Sequence, residues 1–472
     1  MAYRIPFFHD YVFPNMILPN ALVTEFGIIN YLNTLSSNTA KEHNSILTND
    51  LNTDNSLIRR IFDDKLGSWP NSLGGCHLMM PMYKEHLDYY ENSLYFGKKT
   101  VNKYIYPIKV SPHFDRFIGY GLEIGNKLNG EYFWKHMSAE ALEDVRSCRA
   151  IIFLDYGQEN FVDRHLYERL HEVLRLGGIP PSQTILAFNS FNAQEIYESW
   201  FTPQERRLEV RNWPLVMGIT SAYAKFNSNF SINQRDFLSS RKIIRPNHFV
   251  FKIRRTRAHR LILLYKMATD NLLEKGDWSC LPPTQRDREN ISSLTSEYNL
   301  DINIDIVNQL YEKFPHSLQS EIGTGNRMDV CAWGDVEVQH HKDSYFYICT
   351  ETYTTGDYKS LTEKVFKPIL NFQPFLFVAY PGALALLRKL GFKTFSPFIN
   401  EDYDEEPDKV KRIHMIYEEI TRLCSMSKEE IHAWYWSMTD ILAHNHRHFL
   451  EIYKDNTVAL SLIKYLHERI SE

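Results

Sequence analysis

In two blocks along this chain, apolar runs end in polar turns and are followed by stretches with helical spacing, and that alternation restricts the fold more than any other feature. The first run is "RAIIFLDYG", closing on Asp155 and Gly157. An uninterrupted apolar run with no in-out alternation suits a strand buried on both faces of a parallel sheet. "VDRHLYERLHEVLRLGG" then places apolar residues at helical intervals and stops at glycine. "PSQTILAFNS" reads as the next strand and "NAQEIYESWF" as the next helix. After a polar stretch at 225–246 the pattern restarts. Strand "NHFVFKI" (247–253) leads through the basic turn "RRTR" into helix 258–276. Strand "SYFYICT" (344–350), helix 363–372, strand 374–380, helix 383–391 and a short strand "FKTF" complete it. Strand–helix alternation implies parallel sheets joined by crossover helices, so the chain reads as a doubly wound α/β protein with two Rossmann-like domains. The boundaries expected are 1–240, 241–440 and a helical, histidine-rich end, 441–472, packing back on the first domain.

The length, 472 residues, is ample for two or three domains. A net charge of −5 supplies no global attraction to nucleic acid or anionic membrane. The six cysteines include no CxxC pair, which fits reduced thiols in a chain this large better than a disulfide framework or a zinc site. "MAYRIPFFHDYVFPNMILPN" lacks the basic and apolar regions of a secretory signal, and the expected location is cytoplasmic.

In open α/β sheets ligands bind outside the carboxyl ends of the strands, which selects three places. After the strand at 247–253, "RRTRAHR" puts Arg254, Arg255 and Arg257 in the turn and Arg260 in the first helical turn. Cations oppose the positive end of a helix dipole. An anion such as a diphosphate would reconcile them; a solvated basic turn is the simpler reading. After 344–350, Thr362 is placed to cap a helix that begins with Glu363 and Lys364 and contains the awkward Pro368. Many ordinary helices open with Thr-Glu-Lys. In a nucleotide site, the same glutamate could accept ribose hydroxyls and the lysine could neutralise a phosphate. At the third place, Asp155 and Glu159 are candidates for a general base, against the plainer reading that Asp155 caps the following turn.

The run "FYICTETYTTGDYKSLTEKVFKPI" resembles the signature of family 10 glycosyltransferases, the α-1,3-fucosyltransferase family. Thr362, Glu363 and Lys364 match that signature residue for residue. Glu351 matches the glutamate of its E-N-S turn, but Thr352 and Tyr353 replace the Asn-Ser. Tyr358 precedes Thr362 by more than the family tyrosine does. The resemblance covers roughly 245–400 and is absent from the amino half. It implies a GT-B-like arrangement, two domains facing a central cleft, and an inverting sugar transfer. The donor would be a nucleotide-diphosphate sugar, GDP-fucose by analogy, and the acceptor a glycan or another hydroxyl. Glu363 would hold the ribose. Lys364, with an upstream arginine from Arg254, Arg257 and Arg260, would hold the diphosphate, and Glu351 and Tyr358 would line the pocket. No essential metal or other cofactor is implied.

Two rival readings are a non-catalytic glycan- or nucleotide-binding protein of the same fold and a viral-type transferase that glycosylates modified nucleic acid. The net charge argues against the second. Asp335-Val336-Glu337 reads as part of a strand rather than a metal motif, and His444, His446 and His448 as polar surface or an inter-domain contact rather than a metal site. The acidic run 401–408 reads as a solvated face.

Overall fold

A computed structural model of the chain describes residues 5–9, 87–91, 103–109, 139–157, 162–214, 231–253, 257–280, 303–312, 338–452 and 457–471, with isolated positions at 134, 137, 216, 217, 220 and 298. The chain forms two compact units, residues 1–215 with 457–472, and residues 216–456.

The first unit holds a wholly parallel sheet. Its strands are β1 (Ile5–His9), β2 (Leu87–Glu91), β3 (Tyr104–Lys109), β4 (Ala150–Tyr156), β5 (Thr184–Phe188) and β6 (Glu209–Asn212), in the order β2-β1-β3-β4-β5-β6. Every residue of β4 and β5 is buried, as expected for central strands covered on both faces. Helices α1 (Ala139–Arg146), α2 (Arg164–Leu176) and α3 (Ala193–Trp200) accompany these strands. Asp163 caps α2 by accepting from the Leu166 amide at 2.8 Å.

The second unit repeats the plan with β7 (Asn247–Ile253), β8 (Asp277–Cys280), β9 (Ser344–Thr350) and β10 (Phe375–Val378), again all parallel, in the order β10-β9-β7-β8. Numbered within each unit, both sheets share the order 2-1-3-4. The chain therefore winds to one side of its first strand and then to the other, which creates a switch point between the first and third strands. In the second unit that point is the β7–β9 pair, and both expected donor elements follow those two strands. Its helices include α4 (Ala258–Thr269), α5 (Glu363–Leu370), α6 (Ala383–Lys389), α7 (Lys409–Ser425), α8 (Lys428–Ser437) and α9 (Thr439–Ile452), beside others at Gln234–Ser239, Ile304–Glu312 and Val338–Asp343.

The division of the chain falls at 215/216 and not at 240. A short helix at Gln234–Ser239 packs in the second unit, where Phe237 stacks on Phe372 and Trp436 with ring centroids 4.2 and 4.9 Å apart. The terminal helices also part company. Helix α9 packs on α5 within the second unit, whereas α10 (Thr457–Ser471) packs on β1 and β3 of the first. Arg469 fixes α10 there by pairing with Glu209 at 3.1 Å and donating to the Ser182 carbonyl at 2.9 Å.

Three local expectations need correcting. "FKTF" forms no strand. The backbone of Lys393 exchanges hydrogen bonds with the side chain of Asn445, both at 2.8 Å, while Phe392 and Phe395 plug the core. A buried amide side chain thus satisfies the backbone groups that a sheet partner would have taken. The acidic run is only in part a solvated face: Asp402, Glu405 and Asp408 are exposed, but Glu401, Asp404, Glu406 and Asp408 each accept from backbone amides. Asp408 caps α7, accepting from Val410 and Lys411. Glu401 accepts from the Phe395 amide and pairs with Arg388 at 3.2 Å. Asp404, only 3% exposed, accepts from the Leu384 and Ala385 amides at 2.9 and 3.0 Å. Helix α6 needs this distant cap because its own N-cap is Gly382, left-handed at φ +82° and without a side chain. Asp404→Ala should therefore lower stability by about 1–2 kcal/mol, the scale of a lost N-cap, with Asp404→Asn retaining part of it; denaturant unfolding of the two variants checks this.

The third correction concerns the histidines. His444 and His448 direct Nε2 at the carbonyls of Gly391 and Leu390, at 3.0 and 2.7 Å, closing the carboxyl end of α6. His446 is buried and stacks on Phe372, 4.1 Å between centroids. They form an intra-unit packing seam rather than polar surface or an inter-domain contact. Asp335, Val336 and Glu337 lie outside the described residues.

Candidate donor site

The site grows from the carboxyl ends of two neighbouring strands. Strands β7 and β9 pair in register at Val250 and Tyr347, so the chain leaves both at the same edge of the sheet. Beyond Thr350 it runs through a loop to α5, and α4 begins at Ala258, five residues after the end of β7 at Ile253.

Glu351 is the hub of the β9 loop. It is 2% exposed, and its backbone amide donates to the Val378 carbonyl at 3.0 Å, prolonging the pairing with β10. Its carboxylate accepts from the Thr362 amide at 3.0 Å and from the Thr362 hydroxyl, which lies 2.9 and 2.7 Å from its two oxygens. The loop is thus closed at its base by a hydrogen-bonded clasp. Farther out, Arg412, itself buried, donates to the Thr354 carbonyl at 2.5 Å and to the Glu406 carbonyl at 2.6 Å. Tyr358, on the same loop, is buried.

Thr362 occupies the N-cap of α5 with extended backbone, φ −114° and ψ 176°. A hydroxyl has one proton and two lone pairs, and all three have partners here. The proton goes to Glu351, and the oxygen faces the Lys364 amide at 3.5 Å and the Lys364 ammonium at 3.1 Å. The ammonium also donates to Glu363 Oε1 at 3.0 Å and lies 4.0 Å from Glu351 Oε2. One of its three N–H groups is left over by these two hydrogen bonds, and its side chain is 26% exposed. Pro368 lies in the last turn of α5, which ends at Leu370, and Asn371 closes that turn by donating to the Lys367 carbonyl at 2.8 Å.

Two acids and one base packed this closely perturb one another. Burial is the largest influence on Glu351 and raises its pKa, with Lys364 opposing. Burial also pushes Glu363 upward, but the charges of Lys364 and Lys367 outweigh it and hold Glu363 below its ordinary value. Burial lowers Lys364, yet Glu363 and Glu351 together leave it raised. The lysine is firmly charged, Glu363 is its ionised partner, and Glu351 is the structural acid.

On the β7 side the arginines divide by role. Arg260 is 4% exposed and turns inward, donating from Nη2 to the Thr350 and Glu351 carbonyls at 3.0 and 3.1 Å. His259 joins it, with Nε2 2.9 Å from the Glu351 carbonyl. Burial, reinforced by the Arg260 charge, pulls the His259 pKa down to about 3, so the ring is neutral and Nε2–H is the donor. These two side chains stitch α4 to the end of β9. Arg257 sits at the N-cap of α4 and is only partly buried. Its guanidinium carbon lies 5.8 Å from the Tyr353 ring centroid, and its Nε is buried with no hydrogen-bond partner among the described residues. Arg254 and Arg255 fall outside those residues.

The structure therefore brings Arg257, Arg260, Glu351, Thr362, Glu363 and Lys364 to one switch point, with Tyr358 on the same loop. Asp155 is elsewhere, at the end of β4 and one strand removed from the first unit's β1–β3 switch point. It is fully buried and accepts from the Gly157 amide at 3.1 Å, the geometry of a turn-holding carboxylate. Glu159 lies outside the described residues. Sequence reasoning missed His259, Arg412 and Tyr353. "RAHR" carried a weak signal for His259, whereas Arg412 acts across the fold and leaves no local one.

No family model matches the sequence, and no curated protein matches it. Solved structures to which the chain is similar include an α,α-trehalose-phosphate synthase (UDP-forming) from Burkholderia vietnamiensis, at 10% identity and TM-score 0.37, covering 98% of this chain and 100% of that one. An α,α-trehalose 6-phosphate synthase from Burkholderia multivorans matches at 10% identity and TM-score 0.37, covering 100% and 98%. The Burkholderia xenovorans enzyme in complex with glucose-6-phosphate matches at 10% identity and TM-score 0.35, covering 98% and 100%. Similarity at this level carries no argument about activity. Among the described residues no helix is long and apolar enough to cross a membrane, and no group of three or more His, Cys, Asp or Glu is placed to hold a metal ion.

Proposed function

We propose that the protein is a GT-B-type glycosyltransferase that takes a sugar from a nucleotide-diphosphate donor held at the β7–β9 switch point. The observation that carries this reading is the Thr362-Glu363-Lys364 helix start, fixed by the Glu351 clasp at the β7–β9 switch point, with Arg257 beside Tyr353 of the same loop. Arg257, Lys364 and the amides opening α5 would meet the diphosphate, and their charge would stabilise the leaving group as negative charge grows on it. Glu363, ionised and largely buried, suits the two hydroxyls of a ribose. Arg260 would support the site by holding the β9 carbonyls rather than by touching phosphate. A glycan or another hydroxyl compound would be the acceptor. Transfer of fucose from GDP-fucose with inversion, without an essential metal, is the specific form suggested by the family 10 resemblance.

Thermal unfolding with GDP-, UDP-, dTDP- and CMP-sugars tests this reading, because a ligand that binds the folded state raises Tm by mass action. A diphosphate donor should raise Tm and undergo slow hydrolysis. The CMP-sugar, with a single phosphate, should have little effect. Stabilisation by none of the diphosphate donors would refute the donor site; stabilisation with neither hydrolysis nor transfer would leave a binding protein and refute the transferase.

A further inference from the structure

We infer that Tyr353 and Arg257 form the stacking surface for the base of the donor nucleotide, an inference that rests on the donor-site reading above. Large apolar side chains exposed among the described residues are Leu176, Leu238, Ile243, Ile244 and Tyr353, and Tyr353, at 45% exposure, is the aromatic one. Its exposure does not come from a slack loop. Glu351, two residues before it, is 2% exposed and bonded to Thr362, and Thr354, directly after it, is 6% exposed and tied to Arg412. Two buried anchors thus present the ring outward from the carboxyl edge of β9. The Arg257 guanidinium, 5.8 Å from the ring centroid, adds a flat cation beside a flat ring.

That combination suits a nucleoside diphosphate better than a bare anion. A base offers a π face to tyrosine and to guanidinium alike, while the same guanidinium can reach the adjoining phosphate. Bare phosphate or pyrophosphate would use Arg257 and ignore the ring. The serine that the family signature carries at this position could not stack, so Tyr353 would be a feature of this chain, setting how tightly the nucleoside part is held.

Calorimetric titration of GDP, UDP and pyrophosphate into the wild type, Tyr353→Ala, Tyr353→Phe and Arg257→Ala separates the contributions. Stacking is worth about 1–3 kcal/mol per base, so Tyr353→Ala should weaken GDP binding by roughly 5- to 150-fold. Pyrophosphate binding should be unchanged in that variant, and Tyr353→Phe should bind GDP like the wild type. Arg257→Ala should weaken both ligands. Equal GDP affinity in Tyr353→Ala and the wild type overturns the proposal, as does an equal loss for GDP and pyrophosphate. So does a loss seen with a GDP-sugar but not with GDP, which would assign the ring to the sugar. A wild type that binds neither GDP, UDP nor pyrophosphate removes the donor site itself, a result distinct from failure of Tyr353 alone.

Discussion

Glu351→Ala is expected to destabilise the second unit by about 2–4 kcal/mol, combining an unpartnered buried amide with a cavity. The amide and hydroxyl of Thr362 both bond to this carboxylate, which closes the 351–362 loop at its base. For a unit of this size the loss corresponds to a fall in Tm of roughly 5–15 °C. Burial raises the Glu351 pKa above its ordinary value. Its ionised form is therefore held at a cost in the neutral range, and that cost falls as the pH drops through the raised folded pKa. Glu351→Gln avoids the cost, keeps an acceptor for the Thr362 amide, and should lose much less stability than the alanine variant. Thermal unfolding at pH 7 checks the pair. Equal Tm values for Glu351→Ala and the wild type would show that the clasp is not needed.

Lys364→Ala should be the most damaging single change to nucleotide binding while leaving the fold intact. The clasp between Glu351 and Thr362 does not pass through the lysine, so the start of α5 should survive its removal. What disappears is a charged donor with an N–H left over and a quarter of its side chain exposed. Hydrogen bonds to charged groups contribute about 1.5–3 kcal/mol, so affinity for a nucleoside diphosphate should fall roughly 10- to 150-fold. The loss has a second cause. Without Lys364, Glu363 loses the strongest of the influences that oppose burial, so its pKa rises and the acid proposed to hold the ribose is weakened. Arg257→Ala should reduce binding too, without disturbing Glu363.

Strands β7 and β9 were legible to the residue, because a strand buried on both faces is a continuous apolar run bounded by polar turns. "FKTF" carried the same apolar signal and misled, since Phe392 and Phe395 are buried beside a helix whose Asn445 serves the backbone. The Thr-Glu-Lys helix start was equally legible, being a local cap written in consecutive residues. The division of labour among the arginines was not. Arg257 and Arg260 stand three apart, and only the placement of the β9 carbonyls makes one a buried stitch and leaves the other at the edge. Asp404 was illegible for the same reason. It caps a helix 20 residues upstream, across a separation at which periodicity and spacing say nothing.

The central claim is that the β7–β9 switch point binds a nucleoside diphosphate through Lys364. Calorimetric titration of GDP and UDP into the wild type and Lys364→Ala, at low and physiological salt, tests it most directly. One site per chain is expected for at least one of the two nucleotides, weakened as salt screens the charges and largely lost in Lys364→Ala, measured at a temperature where that variant is still folded. Binding of equal strength in both proteins, or no binding of either nucleotide to the wild type, would contradict it.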